Sequence, residues 1–278
     1  MKRFQKVYLE ITNRCNLRCR FCPGTRREPR QLSEEEFCRI LAKLRPYTNF
    51  LYFHLVGEPL CHRSLARFLQ LSQAFGFRVI LTTNGTLLGR QREILLNAPA
   101  LHKVNVSLHA FEAHDLDIPF SEYLDGCFSF GKAAQGGPLV VYRLWNRGGA
   151  DERNEEILSA MAKAFPKPWI TERRGTRIAD RVYLEYGEKF DWPDLSAEDG
   201  GGDLFCYGLR DQIGVLCDGT VVPCCLDHEG DIALGNLFQQ SLEEILSSPR
   251  AQALYDGFSR REAVEPLCRR CGYARRFT

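Results

Sequence analysis

Apolar positions along this chain follow two alternating rhythms. "KVYLEIT", "FLYFHLV", "FRVILTT", "KVNVSLH" and "PLVVYRLW" are short apolar runs rich in β-branched and aromatic residues, as expected of strands buried in a sheet. Between them, "LSEEEFCRILAKL", "SLARFLQLSQAF", "REILLNA", "SEYLDGCFSFGKAAQ" and "NEEILSAMAKAF" space their apolar residues along one helical face. The first helix opens with Ser33 and carries Glu36 three residues later, a capping-box pattern, and the second closes at Gly76. Five or six successive β-α units predict parallel strands joined by helical crossovers, hence an α/β barrel or an open segment of one. Such barrels place their chemistry at the C-terminal ends of the strands.

The rhythm stops near residue 188, where "KFDWPDLSAEDGGGD" reads as a linker. Beyond it, "IGVLCDGTVVPC" predicts a hairpin turning at Asp218-Gly219, and "SLEEILSSP" a helix that ends before Pro249. The expected organisation is a barrel over residues 1–190 and a small cysteine-rich domain over 191–278.

With 278 residues, 44% hydrophobic and 26% charged, the chain can bury a full core. No charged leader precedes an apolar run, and nothing approaches the roughly eighteen apolar residues of a membrane span, so a cytoplasmic protein with no membrane partner is expected. A formal charge of +2 gives no global case for a polynucleotide partner. The clusters Arg26, Arg27, Arg30 and Arg269, Arg270, Arg275, Arg276 read as solvated surface, with phosphate binding as the alternative.

Twelve cysteines change the picture, because a reducing compartment disfavours disulfides and leaves metal or iron–sulfur ligation as the better account. Cys38, Cys61 and Cys127 sit among apolar neighbours and read as small buried residues. Cys15, Cys19 and Cys22 form one group; Cys206, Cys217, Cys224, Cys225, Cys268 and Cys271 form another. A structural zinc site wants four ligands, and no fourth Cys or His lies near the first group. A cubane cluster on three thiolates instead leaves one iron open to a reactant.

The C-x3-C-x2-C spacing, with Phe21 just before the third thiol, resembles the cluster loop of the radical S-adenosylmethionine (SAM) superfamily. The resemblance implies that Cys15, Cys19 and Cys22 hold a [4Fe-4S] cluster whose fourth iron binds SAM, and that reduction cleaves SAM to a 5'-deoxyadenosyl radical. It also implies a partial (β/α)6 barrel of TIM type. "VGEPL" resembles the superfamily's Gly-Gly-Glu-Pro motif, with Val56 in place of the first glycine. By that match Gly57, Glu58 and Pro59 belong to the SAM site, with Glu58 holding the methionine ammonium. Thr83 and Asn84 in "TTNGTLL", then Ser107 and His109 in "NVSLHA", resemble further SAM-cleft segments. Turn chemistry is the bland reading of Asn84-Gly85. Arg143 in "VVYRLWN" is assigned to the SAM ribose or to a substrate carboxylate.

The cysteine-rich tail resembles the auxiliary-cluster extension called SPASM, or its shortened form Twitch, in its Asp-Gly-x-x-x-Pro-Cys, Leu-Gly-Asn and final C-x2-C elements. Too few cysteines are present for two further clusters. One auxiliary [4Fe-4S] cluster on Cys206, Cys224, Cys268 and Cys271 is expected, with a zinc ribbon as the alternative. Cys217 and Cys225 are left over; strand alternation sends Cys225 to the face opposite Cys224.

For substrate, size and motifs resemble the queuosine lyase group, which implies release of queuine from queuosine or its 5'-phosphate. The alternatives are a peptide-modifying maturase and, more remotely, a non-catalytic electron carrier. Candidate substrate residues are His54, Arg143, Asp211 and Asp227, with His54 expected to share a face with Val56 and Glu58. The expected partners are a small nucleoside or nucleotide and a reductant such as flavodoxin or ferredoxin.

Overall fold

The computed structural model describes residues 4–111, 118–149, 151–173 and 175–277. In chain order the strands are β1 (Lys6–Leu9), β2 (Phe50–Phe53), β3 (Arg78–Thr83), β4 (Leu101–Ser107), β5 (Leu139–Arg147), β6 (Ile170–Glu172), β7 (Gly175–Ala179), β8 (Val182–Glu188), β9 (Gln212–Val215), β10 (Thr220–Val222) and β11 (Gly235–Asn236). They form one sheet in the order β11-β10-β9-β1-β2-β3-β4-β5-β8-β7-β6. β1, β2, β3, β4, β5 and β8 run parallel and form the barrel segment. The hairpin β6–β7 extends one edge antiparallel. At the other edge β9 joins β1 in parallel and turns into β10, so the C-terminal cysteines continue the barrel sheet.

The helices α1 (Glu34–Leu44), α2 (Leu65–Ala74), α3 (Leu88–Leu96), α4 (Phe120–Ala133) and α5 (Asn154–Ala164) carry the crossovers. The capping box at α1 is present, Ser33 Oγ accepting the Glu36 N–H at 3.2 Å and Glu36 accepting the Ser33 N–H at 2.8 Å. Each barrel strand gives one face to this helical layer. Val7 and Leu9, Leu51 and Phe53, Val79 and Leu81, Val104 and Val106, and Val140, Tyr142 and Leu144 are all buried there with Phe37, Leu41, Phe68, Leu95 and Met161. The alternate positions face the lumen and are largely polar: Tyr52, Thr82, Lys103, Asn105, Ser107, Arg143 and Glu185 line it. That division of faces positions the site.

Candidate active site

Three loops meet at the C-terminal ends of β1, β2 and β3. Gly57 has φ +83°, and a Cβ there would collide with the Thr12 carbonyl oxygen, so only glycine lets the β2 loop press against the loop that carries the first thiols. The next residue, Glu58, is 2% exposed and donates its N–H to the Arg14 carbonyl at 2.8 Å. Its Oε2 accepts the Asn84 N–H at 2.8 Å and its Oε1 the Leu60 N–H at 3.0 Å. Burial raises its pKa to about 7 despite these donors. Pro59 starts the short 3-10 turn Pro59–Cys61 and is buried.

Asn84 bridges to the thiol loop, its Nδ2 donating to Asn16 Oδ1 at 2.9 Å and lying 4.0 Å from Cys15 Sγ. Thr83 Oγ1 closes the turn by accepting the Gly85 N–H at 3.0 Å. Cys15, Cys19 and Cys22 lie within electrostatic range of one another; burial, then Cys22 and Cys15, pushes the Cys19 thiol up to about 12. The Leu17 N–H points at Cys15 Sγ at 3.4 Å, a contact that favours a thiolate. Cys61, expected to be a buried apolar residue, is corrected: the 3-10 turn swings it back so that its Sγ donates to Asn16 Oδ1 at 3.7 Å.

The lumen below is a cavity of about 430 Å³. Phe21 and His109 stand over it with ring centroids 4.9 Å apart, and His109 Nδ1 lies 3.1 Å from the Arg143 carbonyl. Arg143 Nε donates to Glu185 Oε2 at 3.0 Å, and its guanidinium lies 4.4 Å from the Trp145 ring centre. His54 does line the cavity, 5.9 Å from the Tyr8 ring. Val56 and Glu58 do not line it with His54, since β2 ends at Phe53 and strand alternation does not run on to them. Burial, reinforced by Arg143, lowers the His54 pKa to about 4; burial lowers that of His109 to about 4 too, so both are neutral imidazoles at physiological pH.

Two candidate acids fare differently from the rest. Asp227 borders the cavity, but its oxygens accept the N–H groups of Gly230, Asp231 and Ile232 at 3.1, 2.9 and 2.9 Å, so it ties its own loop. Asp211 is not among the lining residues; its carbonyl accepts the N–H groups of Gln5 and Lys6 where β9 meets β1.

On the far wall Cys206, Cys224, Cys268 and Cys271 line the cavity together, and Cys224 lies within electrostatic range of the other three. Among the described residues no three His, Cys, Asp or Glu side chains converge as around a single metal ion. The donors suit a cubane instead, in which each thiolate binds a different iron. The Gly208 N–H points at Cys206 Sγ at 3.4 Å. Cys225 lines the same cavity as Cys224 and not an opposite face, because β10 ends at Val222 before either thiol; its sulfur meets the Tyr8 hydroxyl, and Cys217 is buried against Glu10 and Arg27.

A family model described as the radical SAM superfamily matches residues 9–171, more than half of the 278. The chain belongs to the radical SAM superfamily. A second model, SPASM, described as an iron-sulfur cluster-binding domain, matches residues 206–272. This radical SAM enzyme therefore uses SAM and [4Fe-4S] clusters, an auxiliary one included. It is 32% identical to a probable GTP 3',8-cyclase of Methanocella arvoryzae over 88% of this chain and 89% of that one. Against other curated relatives the chain spans far less, from 24% to 48% of their length. Its fold is similar to BtrN in complex with AdoMet and 2-DOIA, with a TM-score of 0.62, 17% identity, and 98% and 94% of the two chains covered. It is also similar to Streptococcus suis SuiB bound to precursor peptide SuiA, with a TM-score of 0.65, 16% identity, and 98% and 70% covered.

The sequence reading missed Tyr8, Tyr52, Asn105, Trp145, Trp192 and Tyr273 as lining residues. A signal was present. Lys103, Asn105 and Ser107 alternate with Val104 and Val106, which a strand packed by helices on both faces does not do.

Proposed function

We propose that this radical SAM enzyme is a lyase of nucleoside salvage that acts in the barrel lumen on a small nucleoside or its 5'-monophosphate. Queuosine is the first substrate to test, and free queuine the product. The observation that carries the reading is the cavity, bordered by Phe21 of the first thiol loop and by Cys206, Cys224, Cys268 and Cys271, and walled by Tyr8, Tyr52, Trp145, Trp192 and Tyr273 beside the amide of Asn105 and the cations Lys6 and Arg143. Aromatic faces suit a base, the amide its edge, and the cations a phosphate. About 430 Å³ lies in the range of small-molecule pockets, roughly 300–1,000 Å³.

In this reading Cys15, Cys19 and Cys22 hold the catalytic cluster, and Cys206, Cys224, Cys268 and Cys271 the auxiliary one. The bound and reduced cluster with SAM supplies the radical that removes a hydrogen atom from the sugar. The chain's own contribution is positioning and shielding. Glu58 takes the SAM ammonium; Asn84, Ser107 and His109 border its cleft; Phe21 roofs the lumen and keeps water from the sugar radical. His54 and His109, both neutral, offer hydrogen bonds without charge, and Arg143 meets an anionic group. The supply of electrons falls to a flavodoxin or ferredoxin. Free thiols in this number suit a reducing, cytoplasmic setting. Among the described residues no helix is long and apolar enough to cross a membrane.

The test is SAM-dependent release of queuine from queuosine and its 5'-monophosphate by reduced enzyme at low and high salt, beside a peptide library. Base release with a shallow salt slope supports the reading, since one or two phosphate charges are involved. A tRNA-sized substrate with about six or more phosphate contacts loses several decades of affinity over a fourfold rise in salt. Turnover of a peptide with no base release would replace the reading with a maturase, the alternative to which the peptide-bound SuiB fold lends support.

A further inference from the structure

The first thiol loop, the loop after β2 and the loop after β3 are fastened to one another at Asn16. Its Oδ1 accepts from Asn84 Nδ2 at 2.9 Å and from the Cys61 thiol at 3.7 Å, and its Nδ2 donates to Thr86 Oγ1 at 2.8 Å. The β2 loop also meets the start of α3, where Gln91 Nε2 donates to the Leu60 carbonyl at 3.1 Å. Each of the three loops brings exposed arginine to the surface around Asn16. Arg14, Arg18 and Arg20 come from the thiol loop, Arg63 follows Cys61 by two residues, and Arg90 stands in the first turn of α3.

Segments 12–24, 57–63 and 84–90 hold no Asp or Glu other than the buried Glu58. Among the described residues Arg14, Arg63 and Arg90 make no ion pair, whereas Arg67, four residues past Arg63, is matched by Glu34 at 2.7 Å. The face is therefore positive in a chain whose formal charge is only +2. The arginine-rich tail differs, because acids are interleaved with it. Arg269 and Arg270 share Asp199 at 2.9 and 3.5 Å, and Arg260 and Arg261 pair with Glu262 and Asp203. None of the arginines around Asn16 lines the lumen, although Phe21 of the same thiol loop does. Their charge is thus directed at something other than the molecule in the cavity, on the surface of the loop that carries Cys15, Cys19 and Cys22.

Resting on the reading that a flavodoxin or ferredoxin supplies the electrons, we propose that the face formed by Arg14, Arg18, Arg63 and Arg90 around Asn16 is the docking surface of an acidic one-electron carrier protein. Opposite charge speeds encounter and sets orientation, and guanidinium groups are well suited to carboxylates on a partner. With flavodoxin as the carrier, the anionic flavin hydroquinone gives up one electron and becomes the neutral semiquinone, so no proton moves with it. That electron is the one consumed in the reductive cleavage of SAM. Carrier and substrate then use separate surfaces, the one outside the thiol loop and the other within the lumen.

The test mixes reconstituted enzyme and SAM with flavodoxin hydroquinone, follows flavin oxidation by stopped flow, and measures binding of oxidised flavodoxin by calorimetry. The double variant Arg63→Glu, Arg90→Glu should slow flavin oxidation and weaken binding by about tenfold or more at low salt. The difference should close near 1 M salt, where the screening length is about 3 Å. Both substitutions put an acid at the N-terminal end of a helix, α2 or α3, so the melting temperature should hold. The yield of 5'-deoxyadenosine with saturating dithionite, a small reductant, should stay at the wild-type level. Arg177→Glu, on β7 near the far edge of the sheet, should change neither flavin oxidation nor binding. Wild-type rate and affinity in the double variant would overturn the docking face and leave the carrier reading standing. A transfer RNA that binds the wild-type enzyme and is lost in the double variant, with flavodoxin binding intact, would give the face to nucleic acid and overturn the proposal as well. If neither flavodoxin nor ferredoxin supports 5'-deoxyadenosine formation while dithionite does, the carrier reading itself falls and the docking face with it.

Discussion

The Glu58 carboxylate accepts the backbone N–H of Asn84 at 2.8 Å, so the ends of β2 and β3 are joined through a buried acid. Burial holds that acid's pKa at about 7, well above the ordinary 4.5. Below about pH 7 Glu58 carries a proton that must leave before it can meet a cationic ammonium. SAM affinity should therefore fall by roughly tenfold from pH 8 to pH 6. Glu58→Gln should weaken SAM binding by one to two decades, the worth of a hydrogen bond to a charged group, and flatten the pH dependence. Calorimetry on the unreduced enzyme reads both; a wild-type affinity that does not change with pH would remove Glu58 from the SAM site.

Replacing Cys15, Cys19 and Cys22 with alanine should remove about four irons and four sulfides and abolish 5'-deoxyadenosine formation, while the C-terminal cluster persists. Iron and sulfide analysis after anaerobic reconstitution gives the count. Reductive SAM cleavage by the triple variant would refute the assignment.

Adjacent thiols should behave oppositely. Cys224 lies with Cys206, Cys268 and Cys271, whereas Cys225 is turned toward the Tyr8 hydroxyl. Cys224→Ser should lose the auxiliary cluster's iron, and Cys225→Ser should keep it. Equal iron loss in the two would show that both sulfurs serve the cluster.

Arg27 forks onto Glu10 with Nη1 to Oε2 at 2.9 Å and Nη2 to Oε1 at 2.6 Å, while its Nε donates to the His228 carbonyl at 2.9 Å. The Glu10 side chain is 0% exposed. Arg27→Ala strands that carboxylate and should cost about 3–5 kcal/mol in a denaturant melt. Arg27→Lys should recover only part of it, because an ammonium cannot make the fork. A loss under about 1 kcal/mol would mean that water reaches Glu10.

The alternation of apolar runs was enough to read the parallel barrel and the crossovers, because strands packed by helices must repeat a buried face and helices must present one to them. The capping box at Ser33 and the turn at Asp218-Gly219 were equally legible, since both depend on neighbours within a few residues. Spacing of the cysteines also carried their grouping, for a loop of eight residues cannot separate three thiols far.

What the sequence left open depended on contacts between distant segments. β8 takes the sixth place in the parallel sheet only after the β6–β7 hairpin intervenes, and β9 pairs with β1 across some two hundred residues. The lumen wall is assembled from alternate positions of several strands, so no local window shows that Asn105, Trp145 and Cys225 border one cavity or that Asp211 does not. By itself the sequence determined the periodicity of faces and the local chemistry of caps, turns and thiol loops. Which polar residues share an enclosed space was decided by register and strand order in the folded sheet, because those set the distances between groups far apart along the chain.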